Sequence, residues 1–150
     1  MVSSTRVRRL INEARVDEAG ALLGHQYSID GVVVQGAQRG RTIGFPTANV
    51  STANELLPPH GVYATTATLA GVVYPSVTNI GVRPTVDDSG RVSIETHIFE
   101  LDRELYGAPI RIGFVQRLRD ERTFESLDAL KTQIQADCDR ARMLFRRHSL

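Results

Sequence analysis

Hydrophobic positions along the chain follow two periods, and the switch between them divides it into three regions. Over residues 5 to 24, Val7, Leu10, Ile11 and Ala14 fall at helical spacing, Ala19 to Leu23 continue the pattern, and Gly24 ends it. From Tyr27 to Arg119 the pattern shortens to extended runs punctuated by Gly and Pro: Ile29–Val34, Val62–Leu69, Val72–Val77, Val92–Leu101 and Ile110–Leu118. In the last of these, alternation puts Ile110, Ile112, Phe114 and Leu118 on one face. Five or six short strands with no helix between them predict an antiparallel barrel or sandwich, not a parallel α/β sheet. The helical period returns from about Ser126 to Arg147, where Leu127, Leu130, Ile134, Cys138, Ala141 and Phe145 form one stripe and Ser126 is placed to cap the helix. Cys138 lies on that stripe, which predicts a buried, inert thiol.

Composition narrows the class without changing this outline. At 150 residues, with 41% hydrophobic and 23% charged positions, the chain has the make-up of one globular domain with a real core. No stretch approaches the roughly 20 apolar residues that a membrane crossing needs, and the opening MVSSTRVRRL has no apolar segment to serve as a secretory signal. A single cysteine excludes an internal disulfide framework and a Cys-based zinc cluster, and it fits a reducing, cytoplasmic setting. A net charge of +1 gives no general push toward nucleic acid or anionic membranes, and neither is an expected partner. Aromatics at 6% and the absence of tryptophan weigh against an OB-like barrel that stacks nucleic-acid bases.

Familiar phosphate-loop, dinucleotide and nucleophile-elbow motifs are missing, and the four histidines lack metal-ligand spacing. Four segments carry candidate chemistry, each with a plainer alternative. Gly36, Gly40 and Gly44, together with Arg39 and Arg41, make either a flap that cradles phosphates with backbone N–H groups or a solvated hairpin loop. Directly after it, Pro46 stiffens the approach to Thr47 and Asn49, which point the same way in an extended chain. A hydroxyl and an amide oxygen on one face suit Mg²⁺ with its remaining ligands from water and phosphates, or else they cap a turn. In Ser93–His97, alternation separates Ile94, Thr96 and Ile98 from Ser93, Glu95, His97 and Phe99. Glu95 is then either a general base or a carboxylate on the wet side of a strand. In Leu118–Phe124, the residues Arg119, Glu121, Arg122 and Phe124 either grip a planar ligand or form a charged loop with one anchoring ring.

Taken in order, GFPTAN (44 to 49), NIGVRPT (79 to 85), ETHIF (95 to 99), LYG (105 to 107) and LRDERTFESLDAL (118 to 130) resemble the riboflavin kinase module. That module is the C-terminal half of bacterial bifunctional riboflavin kinase/FAD synthetases. The resemblance runs from about Tyr27 to Phe145, and Ser3–Arg8 is similar to the closing S-S-T-x-x-R motif of the adenylyltransferase half. It implies a mainly β fold: a six-stranded antiparallel Greek-key barrel with a long C-terminal helix and short N-terminal helices. It also implies that residues 1–24 are a remnant of the adenylyltransferase module with linker helices, that residues 25–150 are the kinase domain, and that the parent joins the two covalently.

The implied reaction is Mg²⁺- and ATP-dependent phosphorylation of the riboflavin ribityl 5′-hydroxyl, giving FMN and ADP. No adenylyl transfer is expected from this chain. By motif match Glu95 would be the catalytic base, and Thr47 and Asn49 the metal ligands. Gly36, Arg39, Gly40, Arg41, Gly44, Pro46, Thr47, Asn49 and His97 would serve the nucleotide, and Arg119, Glu121 and Phe124 the flavin. The rival under the same resemblance is a catalytically silent flavin-binding barrel, against which Thr47, Asn49 and Glu95 argue. Val86 and Gln38 depart from the family's usual pattern without touching these residues.

Overall fold

Strands rich in β-branched residues alternate their side chains between two surfaces, and here the sheet closes so that one surface becomes an interior. The computed structural model of the chain describes residues 4–34, 45–82, 92–101 and 103–147. Its elements are α1 (Ser4–Asn12), α2 (Val16–Leu23), β1 (Tyr27–Val34), β2 (Ala48–Thr52), β3 (Gly61–Leu69), β4 (Val72–Val82), β5 (Val92–Ile98), β6 (Pro109–Arg119) and α3 (Leu127–Arg147). The strands form a closed antiparallel barrel in the order β1-β2-β5-β4-β3-β6. Strands β3, β4 and β5 are a meander and β6 returns beside β3, which is the Greek-key pattern.

Ile29, Val33, Ala67, Ile80, Ile94, Ile112 and Phe114 fill the interior, and Val7, Leu10, Ile11, Val16 and Ala19 from the two N-terminal helices belong to the same core cluster. A polar chain crosses this interior. Thr65 Oγ1 lies 2.7 Å from Ser76 Oγ and 2.8 Å from Thr78 Oγ1, and Thr78 Oγ1 lies 3.0 Å from Thr96 Oγ1. On the outer surface, Val62, Ala64, Val77, Phe99 and Leu118 pack under Cys138, Ala141 and Phe145 of α3. The Oγ of Ser126 accepts from the Ala129 N–H at 3.1 Å and so caps α3 as its sequence predicts. Burial pushes the Cys138 thiol up to about 11, as its place on the stripe requires.

Four details differ from the pattern reading. The helical stretch 5 to 24 is two helices, because Ala14 adopts φ 64° and the chain reverses. There the Arg15 N–H reaches Leu10 O at 2.8 Å, the paired closure of a Schellman turn. Gly24, at φ 81°, ends α2. The polar sequence of β2 (ANVST) supplies the sixth strand, one that hydrophobic runs do not mark. Register shifts where β6 meets β3, between Val62 and Tyr63 and between Ala64 and Thr65, turn Leu118 outward to α3, away from Ile110, Ile112 and Phe114. In α3, Leu127 stays 60% exposed, so the stripe is buried only farther along the helix.

Candidate active site

Register, more than sequence proximity, assembles the site. Asn49 on β2 stands opposite Glu95 on β5, and Glu95 stands opposite Asn79 on β4. The row continues through Val62 on β3, opposite Asn79, to Arg119 on β6, opposite Val62. Paired residues point to the same side of a sheet. Ile94, Thr96 and Ile98 face inward on β5, so Glu95 and its row neighbours line the outer face.

Asn49 therefore shares a face with Glu95, and Thr47 lies one residue ahead of β2. Thr47 Oγ1, Asn49 Oδ1 and Asn79 Oδ1 are all buried with no hydrogen-bond partner among the described residues. An unpaired buried acceptor costs about 1–3 kcal/mol, so Asn49 and Asn79 on one face, with Thr47 just ahead of β2, offer oxygens for a ligand to complete. Among the described residues no group of three His, Cys, Asp or Glu side chains could hold a metal ion. A cation held here would meet neutral hard oxygens, with Glu95 as the nearby charge. That donor set fits Mg²⁺ accompanied by phosphate oxygens and does not fit a soft metal.

His97 follows Glu95 on the same outer face. Its Nδ1 lies 2.9 Å from Pro46 O; the carbonyl can only accept, so Nδ1 carries the proton. The ring meets Phe45 edge-on at 5.5 Å and Phe99 at 5.6 Å. Burial holds His97 below the usual histidine range, which keeps it neutral. His97 thus fastens the Phe45–Pro46 segment that delivers Thr47.

The other side of the row is bounded by the loop after β6. The Arg119 Nη2 lies 2.9 Å from an Asp137 carboxylate oxygen, and the two side chains are 17% and 6% exposed. Gln133 Nε2 donates to the same carboxylate at 3.0 Å. Arg119 and Arg122 lie over the Phe124 ring at 5.6 and 4.9 Å. Glu121 lies against Gly81, whose missing side chain leaves the space that its carboxylate occupies. Gly81 is two residues beyond Asn79, so Glu121 lies over that same face of β4.

Arg119, Glu121 and Phe124 are thus gathered beside the row, but the Arg119 guanidinium is engaged by Asp137. The glycine and arginine positions Gly36, Arg39, Gly40, Arg41 and Gly44 lie outside the described residues. Asn79 is the residue that pattern reasoning passes over, since it lies beyond the extended run Val72–Val77. Its signal is an asparagine inside a strand, where that residue is depleted. Asp137 carries no such signal, because on a helix it reads as an ordinary surface charge.

A family model described as riboflavin kinase (flavokinase) matches residues 23–145. The bifunctional riboflavin kinase/FMN adenylyltransferase of Bacillus subtilis (strain 168) is 43% identical over 147 residues, covering 96% of this chain and 46% of that protein. Its counterpart in Pseudomonas fluorescens is 43% identical over 143 residues, covering 95% and 46%. The chain spans about half the length, 46%, of these curated relatives. Among solved structures, riboflavin kinase from Trypanosoma brucei superposes with a TM-score of 0.60 at 25% identity, over 82% of each chain. A Streptococcus pneumoniae structure described as a macrolide-efflux protein superposes with a TM-score of 0.88 at 36% identity, over 94% of this chain and 46% of that one. Among the described residues, no helix is long and apolar enough to cross a membrane.

Proposed function

Because the chain belongs to the riboflavin kinase family, we propose that it transfers the terminal phosphoryl group of ATP to the ribityl 5′-hydroxyl of riboflavin, releasing FMN and ADP. The observation that carries this reading is the outward row Asn49–Glu95–Asn79, with a carboxylate between unpaired oxygens on three adjacent strands. Glu95 accepts the proton of the attacking hydroxyl. Thr47 and Asn49 would hold Mg²⁺, which when bound neutralises phosphate charge. His97 keeps the Thr47 segment in place through Pro46. Gly36, Arg39, Gly40, Arg41 and Gly44 would supply backbone N–H groups and positive charge to the phosphates, and Pro46 would stiffen the approach to Thr47. Phe124 and Glu121 bound the flavin side, and Arg119, braced by Asp137, sets the position of their loop. Phosphoryl transfer proceeds through a loose transition state, so aligned groups of this kind matter more than a strong base.

On the same reading residues 25–150 are the kinase domain and residues 1–24 come from an adenylyltransferase module that precedes it in a cytoplasmic parent protein. Adenylyl transfer, nucleic-acid binding and membrane binding form no part of it. The test is incubation with riboflavin, ATP and Mg²⁺. FMN and ADP should appear together and stop when the ion is chelated, and an enzyme preparation that forms no FMN refutes the proposal.

A further inference from the structure

Asn79 has neighbours that cannot satisfy it. Along its own strand the outward positions are Val77 and Gly81, and across β3 stands Val62. Across β5 stands Glu95, and Glu121 fills the space over Gly81. Val62, Val77 and Gly81 have no side-chain donor and a carboxylate accepts hydrogen bonds, so among the described residues no side chain of this ring donates to the buried Asn79 Oδ1. An amide oxygen flanked by two carboxylate side chains on one sheet face is complementary to a ligand made of hydroxyl donors. Asn79 also lies on the opposite side of Glu95 from Asn49, toward the 119–126 loop and away from the strand with the candidate metal ligands.

We propose that Asn79 determines acceptor specificity: its Oδ1 takes a hydrogen bond from the secondary hydroxyl adjacent to the one that Glu95 deprotonates, so that the site selects a polyol chain and aligns its end. The inference rests on the kinase reading and adds the feature of the acceptor that is recognised. With both hydroxyls held, the terminal oxygen has one direction of approach, which is where positioning contributes most to phosphoryl transfer.

Steady-state kinetics with riboflavin and 4′-deoxyriboflavin, which lacks only that secondary hydroxyl, test the contact. The wild type should use the deoxy flavin about 10- to 100-fold less well in kcat/KM, the range for a buried hydrogen bond whose remaining partner is left unpaired. Asn79→Leu should lose a similar factor on riboflavin, stay within about twofold of the wild type on the deoxy flavin, and keep the KM for Mg·ATP. Asn79→Ser retains an acceptor and should recover part of the loss. Equal use of the two flavins by the wild type overturns the proposal without any variant, so a misfolded Asn79→Leu does not shelter it. Equal losses on both flavins in Asn79→Leu, or a raised KM for Mg·ATP, also overturn it by making Asn79 a support for Glu95 or a metal ligand. Formation of FMN by the wild type separates these failures from failure of the kinase reading.

Discussion

Two sets of threonine, serine and asparagine oxygens lie back to back on the same barrel wall. Inside, Thr65, Ser76, Thr78 and Thr96 are fully buried and bonded to one another in a chain. Outside, Thr47, Asn49 and Asn79 are buried at their oxygens and bonded to no described residue. Hydroxyls both donate and accept, so a cluster of them closes on itself and costs the core little. The outer oxygens are not bonded to one another or to any other described residue. The same residue types are thus committed to the fold on one face and left open to a ligand on the other. Burial alone does not distinguish those roles; the presence or absence of a partner does.

The sharpest way to break this division is at Glu95, which sits at the centre of the open row. Glu95→Gln keeps the shape and removes the base, so FMN formation should fall by about 10²–10⁴-fold while the thermal midpoint stays put. Unchanged turnover would strip Glu95 of its role. Next comes Asp137, where the outer face is structural. Asp137→Ala leaves the nearly buried Arg119 without its counter-ion and should cost about 3 kcal/mol in urea unfolding. A loss below about 1 kcal/mol would place the pair with ordinary surface ion pairs.

Periodicity made the barrel class legible, because Ile94, Thr96 and Ile98 do alternate with Ser93, Glu95 and His97 between two environments. It also placed α3 and its Ser126 cap. It could not mark β2, whose outward positions are Asn49 and Ser51, nor the β-bulges that turn Leu118 from one core cluster to the other. In the site, Glu95 was readable locally as a carboxylate within a strand, and Thr47 and Asn49 as neighbouring hard oxygens of an extended segment. Asn79 was not, since what makes it notable is its pairing with Glu95 across β4 and β5. Arg119 was read for its charge, and only the packing of α3 shows that Asp137 already engages it. Long-range register and the choice of ion-pair partner are tertiary facts, which a pattern of residue types does not encode.

A matched pair of apolar substitutions compares the two faces directly. Thr78→Val keeps the shape of the inner side chain but deletes its bonds to Thr65 and Thr96, leaving Thr96 without its hydroxyl partner. It should cost about 1–3 kcal/mol of stability and change kcat/KM at a temperature well below unfolding by less than about twofold. Asn49→Leu on the outer face removes an amide oxygen that no described residue pairs with. Replacing an unpaired polar group by an apolar one is nearly neutral or stabilising, so its thermal midpoint should match or slightly exceed that of the wild type. Its use of Mg·ATP should nevertheless fall by about 10- to 100-fold, since even partners one shell away from a metal carry that much. A melting loss as large as that of Thr78→Val would make Asn49 a structural residue and leave the divalent ion without its second protein ligand.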